Sequence, residues 1–119
     1  MPKVSWSAFI ELHPAAHLVA GVIPEEDVAT VTARDSLALL AKLAKRLSLT
    51  GQYAMTVDRR SGHPEIHCAF ARETDAARFA QALDATGVGR YPGWASQRQF
   101  GLDTEAIKTI AKVLEWIEP

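Results

Sequence analysis

With 119 residues, 48% of them hydrophobic and 23% charged, the chain suits one globular domain and excludes a disordered acidic or basic tail. Thirteen Lys and Arg against fourteen Asp and Glu leave a net charge of -1, so bulk electrostatics demand neither nucleic acid nor a membrane as partner. The single cysteine, Cys68, excludes an internal disulfide, and the start Met1-Pro2-Lys3 lacks the apolar core of a signal peptide. No apolar run approaches the ~20 residues needed to span a bilayer, so the expectation is a cytoplasmic protein with no membrane contact.

Along the chain, Val4, Trp6, Ala8, Ile10 and Leu12 alternate with mostly polar neighbours, which predicts a strand over 3–12, although Trp6, Phe9, Ile10 and His13 would also share a helix face. The apolar run His17–Ile23 reads as a buried strand ending at Pro24. Residues 35–48 read as a helix capped by Asp35 or Ser36, with Leu37, Leu40, Ala44 and Leu47 on its stripe. Lys42, Lys45 and Arg46 fall in its second half, where the helix dipole favours cations.

Residues 52–58 and 65–71 read as a hairpin, with Tyr53, Met55 and Val57 on one face of the first strand and Ile66, Cys68 and Phe70 on the same face of the second. Thr74 is placed to cap a helix over 75–86, with Gly87 at its exit. A strand over 94–102 follows, then a helix from Thr104 with Ile107, Ile110, Ala111 and Leu114 on its stripe. The whole chain reads as one domain: an N-terminal extension (1–16), a core (17–102) and a C-terminal helix (103–119).

The core order β-α-β-β-α-β resembles the ferredoxin-like α+β arrangement. That resemblance implies an antiparallel sheet in the order 4-1-3-2, with both helices on one face; the scaffold carries many functions and supplies none by itself. Ile66-His67-Cys68-Ala69-Phe70, followed by Asp75-Ala76, Phe79, Ala80 and Leu83, is similar to the third strand and second helix of the RNA-recognition motif family. Those matches are packing positions. Glu65 and His67 stand where that family's stacking aromatics belong, and Leu18–Ile23 contains no aromatic, so RNA binding through base stacking is not expected.

The same topology predicts that segments 24–34, 58–64 and 87–94 share one edge of the sheet. Arg59, Arg60 and His63 would then stand near Arg90, Tyr91 and Trp94, a basic-aromatic rim suited to an anionic group or a protein partner. Residues 34–98 hold ten Lys and Arg against six Asp and Glu, a local excess that agrees with such a rim. The opposing reading makes Arg59 and Arg60 a solvated turn balanced by Glu25, Glu26 and Asp27.

Catalytic motifs are not evident. The pairs His13/His17 and His63/His67 have zinc-like spacing but no helix to put them on one face, so no metal is expected. Cys68 points toward the core as a small hydrophobe rather than a catalytic thiol. Gly87, Gly89 and Gly93 miss dinucleotide-binding spacing and precede a strand, so no cofactor is expected. The open sheet face, with Ala54, Thr56, His67 and Ala69, is small and flat; a second sheet, the N-terminal segment or the last helix could cover it, and self-association as a homodimer is the favoured expectation.

Three functional readings remain open from the residues. The first is a non-catalytic binding or adaptor module meeting a protein or anionic partner through the rim residues Arg59, Arg60, His63, Arg90, Tyr91 and Trp94. The second is a small-molecule binder or enzyme of the dimeric α+β barrel type, with Thr56 and His67 on the ligand face. The third, not favoured, is backbone-directed nucleic-acid binding through the same arginines.

Overall fold

Alternating side chains in the middle of the chain pair into one sheet. The computed structural model describes residues 3–24, 27–59, 64–86 and 98–117. In it β1 (His17–Val22), β2 (Tyr53–Asp58), β3 (Glu65–Phe70) and β4 (Gln99–Gly101) lie in the order β2-β3-β1-β4. Four helices accompany them: α1 (Trp6–Leu12), α2 (Ala33–Arg46), α3 (Glu73–Ala85) and α4 (Thr104–Ile117). The chain is therefore a mixed α+β fold. None of the described helices is long and apolar enough to cross a membrane.

Strand direction departs from the ferredoxin-like expectation. β3 is antiparallel to both β1 and β2, whereas β4 runs parallel to β1, with Ala20 opposite Gln99 and Val22 opposite Gly101. The sheet is mixed, not all-antiparallel. At the start of β4 the Arg98 carbonyl accepts from the Ala20 N–H at 2.9 Å. The Arg98 guanidinium grips the Glu73 carboxylate with both terminal nitrogens, and Glu73 also meets His17 Nδ1 at 3.0 Å. These contacts bring the beginnings of β1, α3 and β4 together, an arrangement that agrees with β4 running the same way as β1.

The first segment is the second correction. Residues 6–12 form a helix, not a strand. Ser5 is extended and its carbonyl accepts from the Phe9 N–H at 2.9 Å. Phe9 is fully buried against Ala54 and Ala69, and His13 stacks on its ring at 4.7 Å while its Nε2 reaches Gln52 Oε1 at 2.9 Å. A seven-residue helix is marginal by itself; burial of one large ring selects it. The cover over Ala54 and Ala69 is thus the chain's own N-terminal segment, one of the three covers open from the sequence. Smaller shifts concern the caps: α2 starts at Ala33 with the Thr32 hydroxyl accepting from the Asp35 N–H at 3.1 Å, and α3 starts at Glu73 without a side-chain cap.

The remaining helices cover the opposite face. Leu40, Leu43 and Ala44 of α2, Phe79, Ala80 and Leu83 of α3, and Ile110 and Leu114 of α4 pack on Val19, Ile66, Cys68, Phe70 and Phe100 of the sheet. Phe70 and Phe79 meet at 5.2 Å between ring centres, a geometry that adds about 1 kcal/mol to the burial of the rings themselves. Gly21 lies where any Cβ would overlap the buried Leu102 side chain, so only glycine lets the β4–α4 connection sit this close to β1.

One buried charge ties the two sides of the helix layer. Asp75 is 1% exposed, and its carboxylate accepts from Gly51 N at 2.8 Å, Thr50 N at 3.3 Å and Thr50 Oγ1 at 3.2 Å. A buried carboxylate is tolerated only when hydrogen-bonded in this way. Asp75→Ala should therefore cost about 2 kcal/mol, read as a lower urea midpoint with an unchanged slope. A second expectation concerns pH. The Arg98 hydrogen bond holds the exposed Glu73 carboxyl below its ordinary range, so its contribution is complete at neutral pH and is lost as pH falls through the lowered value. Glu73→Gln should lower the thermal midpoint at neutral pH and leave it almost unmoved at the acid end, so the profile flattens between the two.

Candidate functional site

Period-two alternation puts Glu65, His67 and Ala69 on the face opposite Ile66, Cys68 and Phe70. The register pairs Thr56 with His67 and Asp58 with Glu65, so two carboxylates stand directly across from each other at the end of the hairpin. Like charges in that position repel. The imidazole of His67 stands between them, with Nε2 3.1 Å from Glu65 Oε1 and Nδ1 3.8 Å from Asp58 Oδ2. The first is a hydrogen bond, and the second is an ion-pair distance too long for one.

Helix α1 adds the wall. Trp6, on its first turn, lies 6.5 Å from the His67 ring centre at a tilt of 51°. Together Trp6, Thr56, Val57, Asp58, Arg59 and His67 enclose a cleft of about 400 Å³, within the range of small-ligand sites. Its lining offers an exposed guanidinium, a hydroxyl, an imidazole, a carboxylate and an indole.

The two ligand-face residues expected from the sequence, Thr56 and His67, therefore share one cleft with Arg59, the expected rim residue that is described. Arg60, His63, Arg90, Tyr91 and Trp94 lie outside the described residues. The premise that joined them has changed, however. The chain leaves β1 beside the β2–β3 turn, where the Ile23 N–H donates to Pro64 O at 3.2 Å, but β4 starts from Arg98 at the other end of the sheet. Sequence reasoning missed Trp6, because its segment was read as a strand, and it gave Asp58 and Glu65 no place in the site. The alternation Glu65-x-His67, opposite Thr56-x-Asp58, was the signal that could have found them.

Other candidates resolve into separate roles. His13 and His17 bind Gln52 and Glu73 respectively and share no centre. Among the described residues no three His, Cys, Asp or Glu side chains are grouped to hold a metal ion. Cys68 is buried in the main core, and desolvation pushes its thiol up to about 12, which keeps it protonated and unreactive. No family model matches the chain, and neither a characterised protein nor a solved structure matches it significantly. Thiol burial gives a direct check: Cys68 should resist a chromogenic disulfide reagent in the native protein at pH 8 and react in full once urea unfolds the chain.

Proposed function

We propose that the chain is a non-catalytic binding module whose recognition surface is the cleft between α1 and the β2–β3 hairpin. The occupant is a small polar ligand, or a protein side chain, that brings a carboxylate or phosphate to Arg59. The supporting observation is that Arg59, Thr56 and His67 line one cleft with Trp6. Guanidinium is the cation best shaped for a two-oxygen anion. Asp58 favours a hydrogen-bond donor elsewhere on the same ligand, so an amino-acid-like or peptide-like group suits the cleft better than a bare polyanion. Trp6 supplies a flat apolar surface beside it.

Binding is favoured over catalysis by how His67 is held. Its Nε2 is hydrogen-bonded to Glu65 and its Nδ1 faces Asp58 at ion-pair distance, which orients the ring toward protein carboxylates rather than toward a proton-transfer partner in the cleft. The buried thiol of Cys68 offers no nucleophile. The dimeric-barrel alternative loses ground because α1 covers part of the face that a second sheet would use. On this reading the chain self-associates and acts in the cytoplasm.

N-acetylaspartate, N-acetyllysine amide and inorganic phosphate are suitable probes, each titrated against labelled protein and followed by amide and indole shifts. N-acetylaspartate should move Trp6, Thr56, Arg59 and His67 together. Arg59→Ala should weaken that binding about tenfold or more while leaving the thermal midpoint unchanged, since Arg59 is exposed. Equal binding by the variant overturns the reading. A duplex oligonucleotide that binds tightly and falls away steeply with salt would instead support the nucleic-acid alternative.

A further inference from the structure

Strand β2 is the outermost strand of the sheet, because the order is β2-β3-β1-β4. The Ala71 N–H donates to Gln52 O at 3.0 Å, so the backbone of Gln52 turns inward to β3. Direction alternates from residue to residue along an antiparallel pair. The N–H and C=O groups of Ala54, Thr56 and Asp58 therefore also serve β3, and those of Tyr53, Met55 and Val57 point away from the sheet. The Tyr53 carbonyl agrees, since it accepts from the Val4 N–H at 3.0 Å. Lys3 pairs with Tyr53 there as a parallel bridge, so the start of this edge takes an added strand from the chain itself.

That cover ends early. Ser5 is the N-cap of α1, and its carbonyl accepts from the Phe9 N–H, which carries the chain off the edge. Among the described residues, no backbone group is bonded to the outward N–H and C=O of Met55 and Val57. Val57 ties this stretch to the Arg59 cleft. Its side chain packs on the main core beside Met55, on the face away from Thr56 and His67, yet Val57 also lines the cleft. The cleft therefore reaches the outer edge of β2.

From this juxtaposition we infer that the β2 edge takes an extended acidic peptide of a partner protein as an added strand, along Met55 and Val57, with a peptide carboxylate on Arg59. The inference rests on the Arg59 cleft reading and names its partner. In this mode main-chain hydrogen bonds supply affinity and pockets for alternate side chains supply specificity. Successive side chains of the peptide point to opposite faces, so one of them enters the cleft on the Thr56 side. Arg59, exposed and lining that cleft, selects an acidic residue there. A second copy of the chain fits less well. Two β2 strands pairing along their length would need the outward groups of Tyr53, which the N-terminal segment holds.

Two probes test it on the full chain: N-acetylaspartate, and an acetylated, amidated tripeptide with aspartate between two threonines. The tripeptide should bind about tenfold more tightly, the gain expected from two main-chain hydrogen bonds. At saturation it should slow hydrogen exchange of the Val57 amide about tenfold or more and leave the Thr56 amide, which serves β3, unchanged. Methylating the peptide's backbone amides should return its affinity to that of N-acetylaspartate. Val57→Pro removes an outward N–H and no bond to β3, a change that edge strands tolerate. It should abolish the tripeptide's advantage and keep N-acetylaspartate binding, and the methylated peptide decides the matter if this variant fails to fold. N-acetylaspartate binding with no gain for the tripeptide overturns this inference and leaves the Arg59 reading standing, whereas binding of neither overturns both. Protection of the Val57 amide that rises with protein concentration, without peptide, assigns the edge to a second copy and overturns the peptide.

Discussion

Alternation along β3 is the constraint on which the molecule rests. Ile66, Cys68 and Phe70 enter the main core, and their neighbours Glu65, His67 and Ala69 must face the other way. A slip of one residue would carry an imidazole and a carboxylate into a layer of phenylalanine and leucine, at a cost no hydrogen bond there could offset. The register is therefore held firmly. It also fixes what the second face contains: two opposed acids, a histidine between them and a small alanine floor that admits Phe9.

That floor explains why a short helix forms where the local pattern suggested a strand. Val4, Trp6, Ala8, Ile10 and Leu12 do alternate, yet Ile10 and Leu12 remain exposed. Phe9, at a position the alternation ranked as outward, is the fully buried residue. Helix α1 has no acidic residue in its first turn and no side-chain cap, so its local sign is the face shared by Trp6, Phe9, Ile10 and His13, which competes with the strand alternation. Its stability comes from a tertiary contact, and the contact is made to two alanines whose importance is visible only after the sheet is built.

Strand positions, the three larger helices, the core facing of Cys68 and the outward facing of His67 were all legible, because each rests on periodicity within a single segment. The direction of β4 was not. Phe100 and Leu102 bury equally well in a parallel or an antiparallel strand, and the contacts that accompany the parallel one, Arg98 with Glu73 and Glu73 with His17, join residues far apart in the chain. The candidate cleft was half legible for the same reason. Thr56 and His67 follow from strand alternation and Arg59 from the turn, while Trp6 requires the correct N-terminal helix.

The opening segment of the chain serves two unrelated surfaces at once. Val4 satisfies a carbonyl on the outer edge of β2, and five residues later Phe9 seals the alanine patch on the sheet's flank. Trimming the protein past Phe9 would bare a strand edge and an apolar flank in a single cut, which is the combination that invites strand-to-strand aggregation. The same stretch of backbone also brings Trp6 to the Arg59 cleft. A fusion or tag that strains it would disturb the edge and the cleft together.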